Sequence, residues 1–292
     1  MQGQHKKWIF LIILAIIWGS SFILIKKSLL GLSPFQLGAL RILISGFFVL
    51  IVGFNKLKSI PKKSWKWLII SGFLGTFFPA FLFAIAETEI DSAIASILNS
   101  LVPLNTLLLG AAIFGIASTK RQVLGVIIGF IGTAILIGEG MNLNPEQNYW
   151  YAGFVLIATV MYAANVNIIK RYLYDIGAIA ITASNFIAIM LPAFVVLLFS
   201  NFFNEVTFAH PDFKMSMVYI VILSLFGTAI AKVLFTRLVH IATPVFASSV
   251  TYLMPIVAVG WGLLDGEGFG LLQLFATFFI LLGVYLAQKR KK

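Results

Sequence analysis

The sequence predicts an all-α integral membrane protein of ten transmembrane helices, built as two inverted five-helix repeats, and three observations predict it. Of its 292 residues, 60% are hydrophobic and only 11% charged, with a mean hydropathy of +1.02. Soluble domains carry about 25% charged residues and far shorter apolar runs. The apolar runs number about ten, each near the roughly 20 residues that a helix needs to cross a bilayer. The second half of the chain also repeats the first. No polar, patterned stretch is long enough for a separate soluble domain. The expected organisation is a first repeat over residues 1–140, a second over 149–288 and a basic cytoplasmic tail over 289–292.

In chain order the spans fall near Trp8–Ile25, Phe35–Gly53, Trp67–Ala86, Ser92–Phe114, Val123–Ile137, Tyr149–Ile169, Ala178–Ser200, Met215–Val239, Pro244–Leu264 and Leu271–Ala287. Polar interruptions separate them. The first follows His5, Lys6 and Lys7 like a signal peptide, but its apolar core is long and no small-residue cleavage site follows, so it reads as a span. Lys26 and Lys27 end it; Lys56, Lys58, Lys62, Lys63 and Lys66 part the second from the third; Glu87, Glu89 and Asp91 part the third from the fourth. Further boundaries are marked by Lys120 and Arg121, by Glu139 and Glu146, by Lys170 and Arg171, by Glu205, Asp212 and Lys214, by Arg237, and by Asp265 and Glu267.

These boundaries alternate between basic and acidic. Lysine and arginine collect in cytoplasmic loops, so the pattern places both termini in the cytoplasm, with only Asp175 diluting the cytoplasmic set and Lys26, Lys27 and Lys214 as the outer cations. The net charge of +11 is thereby explained by topology and by contact with anionic membrane lipid, worth about 1 kcal/mol per cation. It does not point to nucleic acid. The absence of cysteine excludes disulfides, thiolate metal sites and cysteine nucleophiles.

The repeat appears when the stretch from Gly75 is set over that from Gly227 without a gap: Gly75, Thr76, Leu82, Phe83, Ala95, Ser96, Leu101 and Pro103 meet the same residue types at Gly227, Thr228, Leu234, Phe235, Ala247, Ser248, Leu253 and Pro255. Apolar identities are cheap in a membrane protein, so the Gly-Thr and Pro matches carry the weight. Trp18 stands against Tyr162 and Lys26 against Lys170, which makes the unit five spans. An odd unit starts its second copy on the other side of the membrane, and the repeats are inverted.

Polar side chains within spans are costly in lipid and turn toward protein or a water-filled cavity. Ser92, Ser96, Asn99 and Pro103 form one stripe on the fourth span; Pro244, Ser248, Thr251 and Pro255, with Tyr252 alongside, form its equivalent on the ninth. Pro103 and Pro255 each remove a backbone donor and are expected to kink their helices. Lys232 lies inside the eighth span with no acidic neighbour on that helix, and Arg41 about two turns inside the second. The candidate substrate-binding set is therefore Lys232, Asn99, Tyr252, Ser96, Ser248, Thr251 and Arg41, with Asn99 and Tyr252 oxygens, loosened backbone carbonyls, water or an anionic group on the substrate as expected partners of Lys232. Trp18, Gly19 and Ser20, and in the fifth span Gly125 and Gly129, read as packing positions. Every acidic residue falls at or beyond a span end, which favours facilitated transport or exchange over proton coupling.

The stretch from Trp18 to Arg41, with Trp18, Gly19, Ser20, Ser21, Lys26, Pro34 and Arg41, resembles the opening of the EamA-like transporters of the drug/metabolite transporter superfamily. The segment from Leu225 to Leu286, with Pro255, Glu267 and Gly283, is similar to that family's closing hairpin. One departure is Ile116, which stands in the first repeat where Glu267 stands in the second. The resemblance implies a secondary transporter in the cytoplasmic membrane. It would move a small metabolite such as an amino acid, or a drug-like compound, by alternating access, with no cofactor. A lipid flippase of the same superfamily and a solute channel are the alternatives, and a homodimer is left open. An enzyme is not expected: there is no His-Glu-x-x-His site, no Gly-x-Ser-x-Gly elbow, no mid-span aspartate pair and no Gly-rich phosphate loop.

Overall fold

The computed structural model describes residues 2–114, 120–143 and 146–288. Among them there is no β-strand, and long helical segments follow one another: α1 (Gln2–Ser28), α2 (Pro34–Gly53), α3 (Lys62–Ala86), α4 (Ser92–Ile113), α5 (Lys120–Leu143), α6 (Ala152–Tyr172), α7 (Ala178–Phe199), α8 (Phe213–Ile241), α9 (Pro244–Leu264) and α10 (Leu271–Gln288). All but α5 and α10 belong to the eight helical stretches long and apolar enough to cross a membrane among the described residues. Large apolar side chains such as Phe47, Ile51, Phe199, Leu264 and Leu271 point outward, as a lipid-facing belt requires. Ile116 and the tail 289–292 lie outside the described residues.

The start of α2 shows how local sequence sets an element. Ser33 accepts from the Gln36 backbone N–H at 3.3 Å, the Gln36 side chain accepts from the Ser33 N–H at 2.9 Å, and Pro34 opens the helix. This capping box satisfies two of the helix's unpaired backbone donors.

Four helices are irregular, and the irregularities come in pairs. In α3 the stretch Phe73–Phe77 is π-helical, and in α8 so is Leu223–Ile230. These hold the two Gly-Thr pairs, Gly75-Thr76 and Gly227-Thr228. α4 stops at Asn99 and resumes at Val102, with Pro103 in the first turn of its second half. α9 runs as Pro244–Ser248, tightens to a 3-10 turn at Ser249–Tyr252, and resumes at Met254 with Pro255 in its first turn.

Packing is reciprocal as well. α1 lies against α9, and α6 against α4; α3 meets α6 and α7, while α8 meets α1 and α2; α2 packs on α7 and α5 on α10. The last pair is a backbone contact: a Cβ on Gly283 of α10 would sit 2.5 Å from Gly125 O and 2.5 Å from Gly129 N of α5. The small-residue face of α5 thus admits α10 to van der Waals range of its backbone.

The two ends of the bundle differ in charge. One gathers Glu87, Asp91, Asp265 and Glu267 around Lys26 and Lys27. The other carries Lys6, Lys56, Arg237 and Lys170. These are called the carboxylate end and the basic end below.

Candidate functional site

Between the paired irregularities lies a cavity of about 100 Å³, room for several waters. Its wall draws on both halves of the chain: Trp18, Arg41, Gly75, Thr76 and Asn99 from the first, Tyr162, Asn165, Gly227, Thr228, Lys232, Ser248 and Thr251 from the second.

Lys232 is 6% exposed, and its Nζ donates to Gly75 O at 2.5 Å. The π-helical turn explains the acceptor: such a bulge disturbs the regular ladder and leaves carbonyls turned outward. Gly75 also makes room for the contact, because a Cβ there would clash with Asn165 and stand 2.7 Å from Lys232 Nζ. The partner of Lys232 is therefore a loosened carbonyl, not Asn99 or Tyr252. The matching carbonyl of α8, Gly227 O, accepts from Trp18 Nε1 at 2.9 Å, and Trp18 packs on Phe235 with ring centroids 5.1 Å apart. Arg41 Nε donates to Thr228 Oγ1 at 2.7 Å. Lys232 and Arg41 are close enough to repel each other, and no carboxylate is among the described residues lining the cavity.

The remaining polar wall is partly unpartnered. Thr76 Oγ1 and Asn99 Oδ1 are buried and make no hydrogen bond to the described residues. Buried polar atoms are ordinarily satisfied, so these two are placed to meet water or a ligand. Ser248 and Thr251 donate within their own segment, to Val245 O at 3.1 Å and Ser248 O at 3.0 Å, and leave oxygen lone pairs toward the cavity.

Of the candidate residues, the structure brings Lys232, Arg41, Asn99, Ser248 and Thr251 together in one wall. Ser96 and Tyr252 are not among the lining residues: Ser96 is fully buried, and Tyr252 packs against the core on the carboxylate-end side. Sequence reasoning missed Thr76, Tyr162, Asn165 and Thr228, and gave Trp18 a packing role only. The Gly-Thr identity and the Trp18–Tyr162 correspondence were the signals that pointed to them.

A bundle of apolar helices with outward-facing apolar side chains around an internal cavity that holds two cationic side chains has the form of a membrane protein. The chain matches the EamA-like transporter family over residues 6–138 and 149–288 and belongs to it. It is a multi-pass membrane protein. The inner membrane transporter YedA of Escherichia coli (strain K12), an uncharacterized protein by its name, is 29% identical over 286 residues, 94% of this chain and 90% of its own. The S-adenosylmethionine/S-adenosylhomocysteine transporter of Chlamydia muridarum (strain MoPn / Nigg) is 23% identical over 290 residues, covering 95% and 90%. A solved crystal structure superposes with a TM-score of 0.68 at 18% identity, over 97% of this chain and 96% of that one, a likeness of fold alone.

Proposed function

We propose that this chain is a secondary transporter whose ten helices cross the membrane as two inverted five-helix repeats, 1–140 and 149–288. On this reading it moves a small metabolite bearing a carboxylate or phosphate by alternating access. One observation carries the substrate class: two like-charged side chains, Lys232 and Arg41, share a buried cavity lined by no carboxylate. An anionic group is the natural occupant, since it relieves their repulsion and gains charge-assisted hydrogen bonds. Thr76 and Asn99 would serve the neutral part of the solute, and Trp18, Phe83 and Tyr162 its apolar part. The name of the Chlamydia relative fits this class, because S-adenosylmethionine carries a carboxylate.

The reciprocal packing supports the inverted repeat. Exchanging α1–α5 with α6–α10 turns every helix pair named above into another pair of the same set. The paired π-helical turns and broken helices map onto each other in the same exchange. Discontinuous helices around a site at the repeat interface are the form in which carriers hold substrate at mid-membrane. Rocking one half against the other about this site then exposes it to each side in turn.

Binding is checked by thermal shift of the purified protein against a panel of metabolites. Ligands that select the folded state raise Tm in proportion to RT ln(1 + [L]/Kd). The compounds that raise it are expected to carry a carboxylate or phosphate; a hit list of solutes bearing neither group contradicts the proposal. The strongest hit then serves for counterflow in proteoliposomes. A carrier shows saturation and transient accumulation of label, and a channel shows neither.

The topology has its own test. The native chain has no cysteine, so Glu89→Cys and Lys62→Cys give single labelling sites at opposite ends of α3. In intact cells an impermeant thiol reagent is expected to label the first and spare the second. Labelling of both contradicts the orientation with cytoplasmic termini.

A further inference from the structure

At the carboxylate end Lys26 and Lys27 face four carboxylates, Glu87, Asp91, Asp265 and Glu267, and the field of Arg41, on the cavity wall, reaches Glu87. Lys26 Nζ lies 2.7 Å from Glu267 Oε1 and 3.8 Å from both Asp91 and Asp265, and Lys27 binds Asp265. Glu267 also accepts from the Ser92 and Ala93 backbone N–H groups, each at 3.2 Å, at the start of α4. A lysine and two backbone donors thus occupy both of its oxygens. The odd carboxyl is Glu87. It follows directly on α3, is 5% exposed, and accepts one hydrogen bond, from Ser92 Oγ at 3.1 Å to Oε2; its Oε1 is buried and makes no hydrogen bond. Arg41, whose field reaches Glu87, has its Nε committed to Thr228.

We propose that Glu87 is a proton-binding site that couples the transport cycle to protons: it holds a proton while the carboxylate end is closed and gives it up when that end opens to water. With that proton the closed cluster, in which two lysines face four carboxyl groups, carries one negative charge fewer. Without it, a second buried negative charge sits beside Glu267, the two joined through Ser92. Burial above all, and then the charge of Glu267, pushes the Glu87 carboxyl well above the usual glutamate range; the Ser92 hydroxyl, Arg41 and Lys26 pull it back only in part. Opening replaces burial by water and removes the main cause, so the proton leaves to the side that has opened, and closing must take one up. By linkage, low pH favours the closed form and high pH the open one. The buried position of Glu87 thus revises the expectation of uncoupled transport, which rested on its place at a span end.

This proposal rests on the alternating-access reading, and its test uses no substrate, so its failure is distinct from a failure of counterflow. Infrared difference spectra of the purified full chain at neutral pH are expected to show a protonated carboxyl band that is absent in Glu87→Gln. A parent protein without that band overturns the proposal. The second readout is thiol labelling of Ala80→Cys in the cavity wall. Its rate, divided at each pH by that of a free small-molecule thiol to remove the ordinary gain in thiolate, is expected to rise about tenfold or more from acid to alkaline pH, and to stay low and flat when Glu87→Gln is added. Glu87→Gln keeps the Ser92 bond, and Glu87→Asp, which still titrates, should retain the rise. A flat profile in the parent, or an equal rise with Glu87→Gln, overturns the proposal.

Discussion

Lys232→Ala is expected to weaken substrate binding by about 10- to 100-fold and to abolish uptake at working concentrations, while the protein still inserts and folds. The binding loss follows from removing one hydrogen bond to a charged group, worth about 1.5–3 kcal/mol. Retained folding follows from the environment. Lys232 has no carboxylate to leave stranded; its loss orphans Gly75 O at a cost of about 1 kcal/mol and relieves the desolvation of a buried ammonium. The check is thermal-shift titration with the strongest acidic ligand, beside the melting temperature of the unliganded variant. A lysine that merely reached to the cytoplasmic interface would leave both affinity and uptake near normal.

Gly283→Ala is expected to cost about 2–3 kcal/mol of stability, because its methyl meets backbone, not flexible side chains. The built Cβ falls 2.5 Å from Gly125 O and Gly129 N and 2.9 Å from Gly129 Cα, so the whole of α10 must shift away from α5. Overpacking of this kind costs about 1–3 kcal/mol even where side chains can give. Gly153→Ala and Gly260→Ala are the controls. Nothing lies within 4 Å of a Cβ at either position, and alanine is the better helix former by about 1 kcal/mol. Melting temperatures of the three purified variants decide. Equal melting for Gly283→Ala and the parent would contradict the close α5–α10 contact.

Stability should also depend on pH through Glu87. Its carboxyl is raised by burial, so the folded chain binds a proton that the unfolded chain has already released above the ordinary glutamate range, near 4.3. The stabilisation is full below that range and is lost as pH rises through the raised value. Melting temperature against pH should fall over this window in the parent and flatten in Glu87→Gln.

The helices were legible in the sequence because lipid demands long apolar runs, and charges mark where those runs end. The breaks in α4 and α9 were legible for a related reason, since Pro103 and Pro255 have no backbone donor to give. Lys232 stood out as an ammonium in mid-span. A loosened backbone carbonyl was among the partners expected for Lys232, but which one was not legible: a π-helical turn at Phe73–Phe77 leaves no mark in composition, and only the repeated Gly-Thr pair hinted that this backbone mattered. Glu87 was hidden for the opposite reason. Its position in the chain, one residue past α3, reads as a wet loop, and its burial comes from Ser92 and Glu267 closing over it from α4 and the α9–α10 loop. Tyr252 marks the limit of the stripe argument, because the 3-10 turn at Ser249–Tyr252 alters the helical phase that the argument assumes.

The central claim is that the Lys232–Arg41 cavity carries metabolites by their acidic group. It is tested most directly by an untargeted comparison of metabolites inside and outside cells with the intact protein, with Lys232→Ala and with neither. The account predicts a set of compounds whose distribution shifts only with the intact protein, each bearing a carboxylate or phosphate. A shifted set dominated by compounds that bear neither a carboxylate nor a phosphate, or one that shifts equally with Lys232→Ala, would contradict it.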